Sequence, residues 1–231
     1  MAINDKLLKS AAGGGGGGLV PKENFQTVLY TGNGATTQAI TGLKFKPDFV
    51  WIKQRSGSAS HTLQDIVRGS GASKPLSSDD NVAEGAYGGF GFLASFDNDG
   101  FTVNLGSSSG AAHTNKLNTT YVAWCWKAED AFSHSASGSQ LASSGKSNQA
   151  AGFSIVKHTG SGSAATVKHN LGGIPELIIY RQYQDVGSGK NWVVYAKELG
   201  NTKNLLLNAT SAPATDSESW NNTDPTDTVF S

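Results

Sequence analysis

The sequence predicts an all-β protein of tandem antiparallel β-sandwich modules, jelly-roll-like in kind, with a short N-terminal helix or arm. Three observations predict it. Short runs of β-branched and aromatic residues alternate with Gly, Asn and Asp turn signals along most of the chain. Helical periodicity is nowhere convincing beyond about two turns, residues 61–68 coming nearest to it. A block of sequence recurs after 128 residues.

Taken in order, the chain opens with Ile3, Leu7 and Leu8 at i, i+4, i+5 spacing, one face of a short helix. Residues 1–12 therefore read as an apolar anchor peptide, too short to hold a helix alone in water. Six consecutive glycines follow at 13–18, and residues 13–22 read as a tether, since glycine loses the most freedom on ordering. Strands begin after Pro21. Phe25-Gln26-Thr27-Val28-Leu29-Tyr30-Thr31 stops at Gly32-Asn33-Gly34, which holds the Asn-Gly turn pair. Asp48-Phe49-Val50-Trp51-Ile52-Lys53 reads as a buried strand behind Pro47. The run 90–96 and Phe101-Thr102-Val103-Asn104-Leu105 form a hairpin about Asp97-Asn98-Asp99-Gly100. Thr120-Tyr121-Val122-Ala123-Trp124-Cys125-Trp126-Lys127 carries large apolar side chains on both faces, so it belongs at the centre of a sandwich. These elements make a first module over 23–132. Residues 133–151, almost without apolar side chains, read as a Ser/Gly linker, and a second module occupies 152–231.

The repeat supports two modules. Residues 153–182 match 25–54 without a gap, with eight of thirty positions identical, among them the glycines of the first turn and the proline before the second strand. The second copy looks incomplete. It stops near the counterpart of the 101–105 strand, and nothing in it matches the aromatic strand at 120–127. Two explanations follow: the sequence is a piece of a longer chain, or a neighbouring subunit donates the missing strand.

Eighteen basic and eighteen acidic residues give no net charge, which argues against nucleic acid or an anionic membrane as the main partner. The one cysteine, Cys125, cannot form an intramolecular disulfide. The first residues lack the apolar core of a signal peptide, and no run is long and apolar enough for a membrane-spanning helix, so neither Sec-type export nor membrane insertion is expected.

Motifs that carry chemistry fail on context. Gly160-Ser161-Gly162-Ser163-Ala164-Ala165 fits a dinucleotide fingerprint but opens no amphipathic helix, and a hairpin turn explains it. Gly106-Ser107-Ser108-Ser109-Gly110 has the letters of a nucleophile elbow without the strand-to-helix turn. Gly145-Lys146-Ser147 lacks the first glycine of a P-loop, Gln140 standing in its place. Asp97-Asn98-Asp99-Gly100 lacks the bidentate glutamate of a calcium loop. The five histidines show no zinc-ligand spacing. No catalytic residue, cofactor or metal is expected. Trp220, in a polar Ser/Asn setting, is the best candidate for an exposed aromatic that stacks on a host glycan.

Tyr30-Thr31-Gly32-Asn33-Gly34, Lys46-Pro47-Asp48-Phe49-Val50-Trp51-Ile52-Lys53, Tyr121-Val122-Ala123-Trp124-Cys125-Trp126-Lys127 and Gly152-Phe153-Ser154-Ile155-Val156 occur in one order. In this the chain resembles the tail-fibre-like structural proteins of marine bacteriophages. The resemblance implies a virion appendage in the tail, assembled in the host cytoplasm and held through its N-terminus by tail components such as adaptor or nozzle proteins. It implies no catalytic residues. Self-association as a homotrimer is the expectation for a fibre. The attachment role of Ile3, Leu7 and Leu8 rests on position and composition. Competing readings are a lectin-like module for host surface glycan, a capsid decoration protein, and a depolymerase, which would need paired carboxylates that the sequence does not offer.

Overall fold

The computed structural model describes residues 19–184 and 190–231. The predicted anchor residues Ile3, Leu7 and Leu8, and most of the tether, lie outside the described residues. Among the described residues the chain is all-β, with three short 3₁₀ turns and no α-helix.

The first module contains β1 (Phe25–Thr31), β2 (Thr37–Thr41), β3 (Phe49–Gln54), β4 (Thr62–Asp65), β5 (Phe92–Asp97), β6 (Gly100–Asn104) and β7 (Thr120–Trp126). One sheet has the order β1-β7-β3-β4 and the other β2-β6-β5. β7 is central, as its side chains predict, antiparallel to β1 (Phe25 opposite Trp126) and to β3 (Phe49 opposite Trp126). Side chains alternate along a strand, so Tyr121, Ala123 and Cys125 point inward together. They meet Val50 and Ile52 of β3, Leu93 of β5, and Phe101 and Val103 of β6, and all eight side chains are fully buried. The core therefore lies between the two sheets. At the β5–β6 turn the Asp97 carboxylate accepts hydrogen bonds from Ser95 (2.8 Å) and Thr102 (2.8 Å), the turn chemistry expected there. Gly100 is required by close approach, because a Cβ would stand 1.9 Å from the Ile40 carbonyl oxygen.

Residues 61–68 are not helical. Thr62, Leu63, Gln64 and Asp65 form β4 and are all buried, and the chain then turns under Arg68, whose Nε donates to Asp65 (2.6 Å) and whose Nη1 donates to Glu84 (2.8 Å). Burial on both faces erased the alternation that marks a strand in sequence.

The second half contains β8 (Asp130–His134), β9 (Ser143–Asn148), β10 (Phe153–His158), β11 (Val167–Lys168), β12 (Leu177–Tyr180), β13 (Val193–Ala196), β14 (Lys203–Leu206), β15 (Ala214–Thr215) and β16 (Val229–Phe230). They form sheets of order β10-β9-β8, β11-β16 and β12-β13-β14-β15. The stretch 133–151 is thus not a linker. It holds most of the β8–β9 hairpin, which starts at Asp130 and builds onto β10. The inward positions of β9 are Ser143, Gly145 and Ser147, all buried. Ser143 donates to the Lys168 carbonyl (3.0 Å) and Asn170 to the Ser147 hydroxyl (2.8 Å). Small residues hydrogen-bonded to the 168–170 segment stand where sequence patterning looks for apolar side chains.

The repeat extends to strand register. Val167 opposite Phe230 and Lys168 opposite Val229 are, after the 128-residue shift, the pairs Ala39–Thr102 and Ile40–Phe101. Two copies of one β module are therefore built in series.

Candidate functional site

Three features remain once the cores are accounted for: a junction between the modules, a cup of carbonyl groups holding Arg181, and a large cavity.

The junction centres on Asp48, whose buried carboxylate accepts from the Ala128 amide (2.8 Å) at the end of β7 and from Lys146 Nζ (2.7 Å) on β9. Beside it Phe153, the first residue of β10, stacks on Trp126 at 5.9 Å between ring centroids and tilts against Phe49 at 6.3 Å. Asn148 donates to the Asn24 side chain (2.6 Å). A buried carboxylate with two donors, flanked by an aromatic stack, fixes one module on the other where the sequence had predicted slack.

In the second contact region Arg181 is buried and donates to the carbonyls of Asp80 (2.6 Å) and Val82, while its guanidinium lies 5.1 Å from the Trp192 ring. Trp192 Nε1 donates to Ser77 O (2.6 Å), and its ring joins Leu63 and Leu76 in a shared apolar cluster. Burial lowers the Arg181 pKa from its ordinary value and the nearby Asp80 carboxylate opposes this. Such a cup fits one guanidinium and completes a structural clasp.

Between the two sets of contacts lies a cavity of about 2170 Å³, bounded by β10 on one side and β12 on the other and reaching Trp51 and Leu63 of the first module. Its walls include Phe153, Val156, His158, Leu177, Ile179 and Tyr180. The family match covers 20–231, both modules and the junction included. The chain belongs to the family described as a domain of unknown function, DUF7483. No curated protein matches the chain, and no solved structure does.

Within this DUF7483 chain the sequence-derived stacking candidate moves. Trp220 is 2% exposed and packs edge-on against Tyr195 at 5.6 Å between centroids. It is a core residue of the second module and offers no face to a sugar; the Ser/Asn residues around it in sequence form turns. Trp51 and Trp124 pack against each other at 6.0 Å on the outer face of the first sheet.

The assembly closest in letters to a nucleophilic triad is Ser77, His61 and Asp79, which sequence spacing did not single out. Ser77 Oγ donates to Asp79 (2.7 Å), and Asp79 also accepts the His61 backbone amide (2.9 Å). The His61 ring instead accepts from Trp51 Nε1 at Nδ1 (2.7 Å). Burial lowers the His61 pKa. Burial also acts upward on Asp79, but hydrogen bonds from Ser77 and the His61 amide outweigh it and hold the carboxyl below its usual range. The His61 ring is turned to Trp51 and the serine hydroxyl meets a carboxylate in its place, so the order of contacts is not that of a nucleophilic triad and the group ties a loop to β3. Cys125, with its pKa pushed up to about 12 by burial, stays a thiol.

Proposed function

We propose that this protein is a virion structural protein, a tail fibre or tail appendage that is held by its N-terminus and presents β modules toward the host. The observation that carries this reading is the junction of Asp48, Lys146, Phe153 and Trp126, which couples two copies of one sandwich without a flexible linker. Tandem modules joined this way transmit force and keep orientation, the duty of an appendage. The phage-like order of motifs in the sequence points the same way. The partners under this reading are tail components at the N-terminus and further copies of the chain, as in a homotrimer, and the location is the virion tail.

The test is on particles. Mass spectrometry of gradient-purified virions should recover peptides from both modules, and a cryo-EM map should fit the two sandwiches in the tail. Absence from particles, or density on the head shell, would overturn the tail reading; head-shell density would favour a capsid decoration protein.

A further inference from the structure

β7 sits between β1 and β3 in the first module, and taking it away would leave β1 on one side of a gap and the β3–β4 pair on the other. The second module has that divided arrangement. β10, the repeat counterpart of β1, pairs only with β9 among the described residues, and β12, the counterpart of β3, pairs only with β13.

Backbone direction identifies the edges that face each other. The Gly32 amide donates to Thr119 O, so even-numbered positions along β1 turn their backbone groups toward β7. The repeat shift is even, so Ser154, Val156 and His158 are the corresponding positions of β10. The β9 hairpin occupies the other edge, since the carbonyl of Ile155, an odd position, points at β9: a Cβ on Gly145 would meet it at 1.9 Å. On β12 the Lys197 amide donates to Glu176 O, which turns even positions toward β13 and leaves the backbone groups of Leu177 and Ile179 directed at the gap.

Side chains agree. Ile52 of β3 is fully buried, while Tyr180, its counterpart, is 36% exposed. Leu177 and Ile179 are 60% and 42% exposed. The His158 and Tyr180 rings reach across the space and stack at 5.7 Å between centroids, so an entering strand has to part them.

We propose that the gap between β10 and β12 is the seat of one further antiparallel strand with the chemistry of β7, supplied by polypeptide outside these 231 residues. The occupant is specified by the first module: an extended segment antiparallel to both neighbours, small or aromatic on its inward face like Tyr121, Ala123 and Cys125, and aromatic on its outward face like Trp124 and Trp126. Insertion would join the three- and four-stranded sheets through shared backbone hydrogen bonds, as strand addition does generally. This inference is independent of the appendage reading, because it concerns an unpaired pair of edges wherever the protein resides.

The experiment uses the full chain and a fluorescein-labelled synthetic peptide of residues 120–128, with Cys125→Ser and flanking lysines for solubility. Anisotropy should show saturable one-to-one binding, and hydrogen exchange should slow at 154–158 and 177–180. The same peptide carrying Ala123→Pro should bind at least about ten-fold more weakly, because proline removes a ladder donor. That substitution lies in the peptide, so the protein's own folding is not in question. No saturable binding, equal binding of the proline peptide, or protection elsewhere would overturn the proposal. A dimer by light scattering that the peptide cannot dissociate would assign the gap to a second copy and overturn it equally.

Discussion

In the first module Tyr30 and Ile52 stand on either side of β7, Tyr30 opposite Tyr121 and Ile52 opposite Ala123, and Tyr30 stacks on the Tyr121 ring at 5.0 Å. At the same two positions in the second module, His158 and Tyr180 stack on each other, with no strand between them among the described residues. The outer frame is alike, down to the register of the second sheet, yet Ile52 of β3 is fully buried while its counterpart Tyr180 is 36% exposed and Leu177 and Ile179 beside it are 60% and 42% exposed. A central strand supplies buried area on both faces and pairs two edges at once. Its absence, more than any difference in the surrounding residues, separates a closed core from an open one.

The largest expected effect that would sharpen this contrast is Tyr121→Ala. It removes a buried ring whose hydroxyl donates to Ala112 O (2.8 Å) and accepts from the Lys116 amide (3.0 Å). It should cost about 3–5 kcal/mol, read from urea unfolding with Cys125 labelling as the reporter of the first core. In the unsubstituted protein, amide exchange in β12–β14 should become fast at lower urea than Cys125 becomes reactive; coincident transitions would show that the junction makes the modules one cooperative unit.

Next in size is Asp48→Ala, which leaves the buried Ala128 amide without its acceptor and Lys146 without its partner. A loss of about 1–3 kcal/mol is expected, with faster hydrogen exchange in β9 and β10. Retained protection there would break the claim that the junction is rigid.

Acid should act on both modules. Burial lowers the pKa of His61 and His113 in the first and of His158 and His169 in the second, each from 6.5. A group with a depressed folded pKa binds more protons when unfolded, so its contribution is complete above pH 6.5 and is lost as pH falls from there through the folded value. The melting temperature should be level above that pH and drop by a few degrees on going below it; a rise instead would contradict neutral buried imidazoles. The smallest effect belongs to Ile179→Ala, about 0.5 kcal/mol, because the side chain is 42% exposed beside an unpaired edge; a large loss would mean the gap is already filled.

What could be read in advance depended on whether burial leaves a pattern. β7 was legible because its apolar side chains occupy both faces, and the two modules were legible because turn glycines and a proline recur at one spacing. β4 was hidden because Gln64 and Thr62 are buried polar residues, Gln64 accepting the amide of Leu93 from the facing sheet (2.5 Å). The β8–β9 hairpin was hidden because its buried positions hold small residues: Ser143 bonds the Lys168 carbonyl, Ser147 accepts from the Asn170 side chain, and Gly145 has no side chain to fill a core. Trp220 was misjudged because its polar neighbours in sequence are not its neighbours in space.

The sequence by itself determined the all-β class, the repeat and the lack of a counterpart to β7 in the second copy, since alternation, turn residues and self-similarity are local properties. Only the tertiary structure decided that 133–151 joins a sheet, that Asp48 and Arg181 clasp the modules, and that β10 and β12 pair with different sheets and not with a common strand among the described residues. Each of these depends on which edges and buried polar groups meet from distant parts of the chain, and that pairing leaves no mark in the order of residues along it.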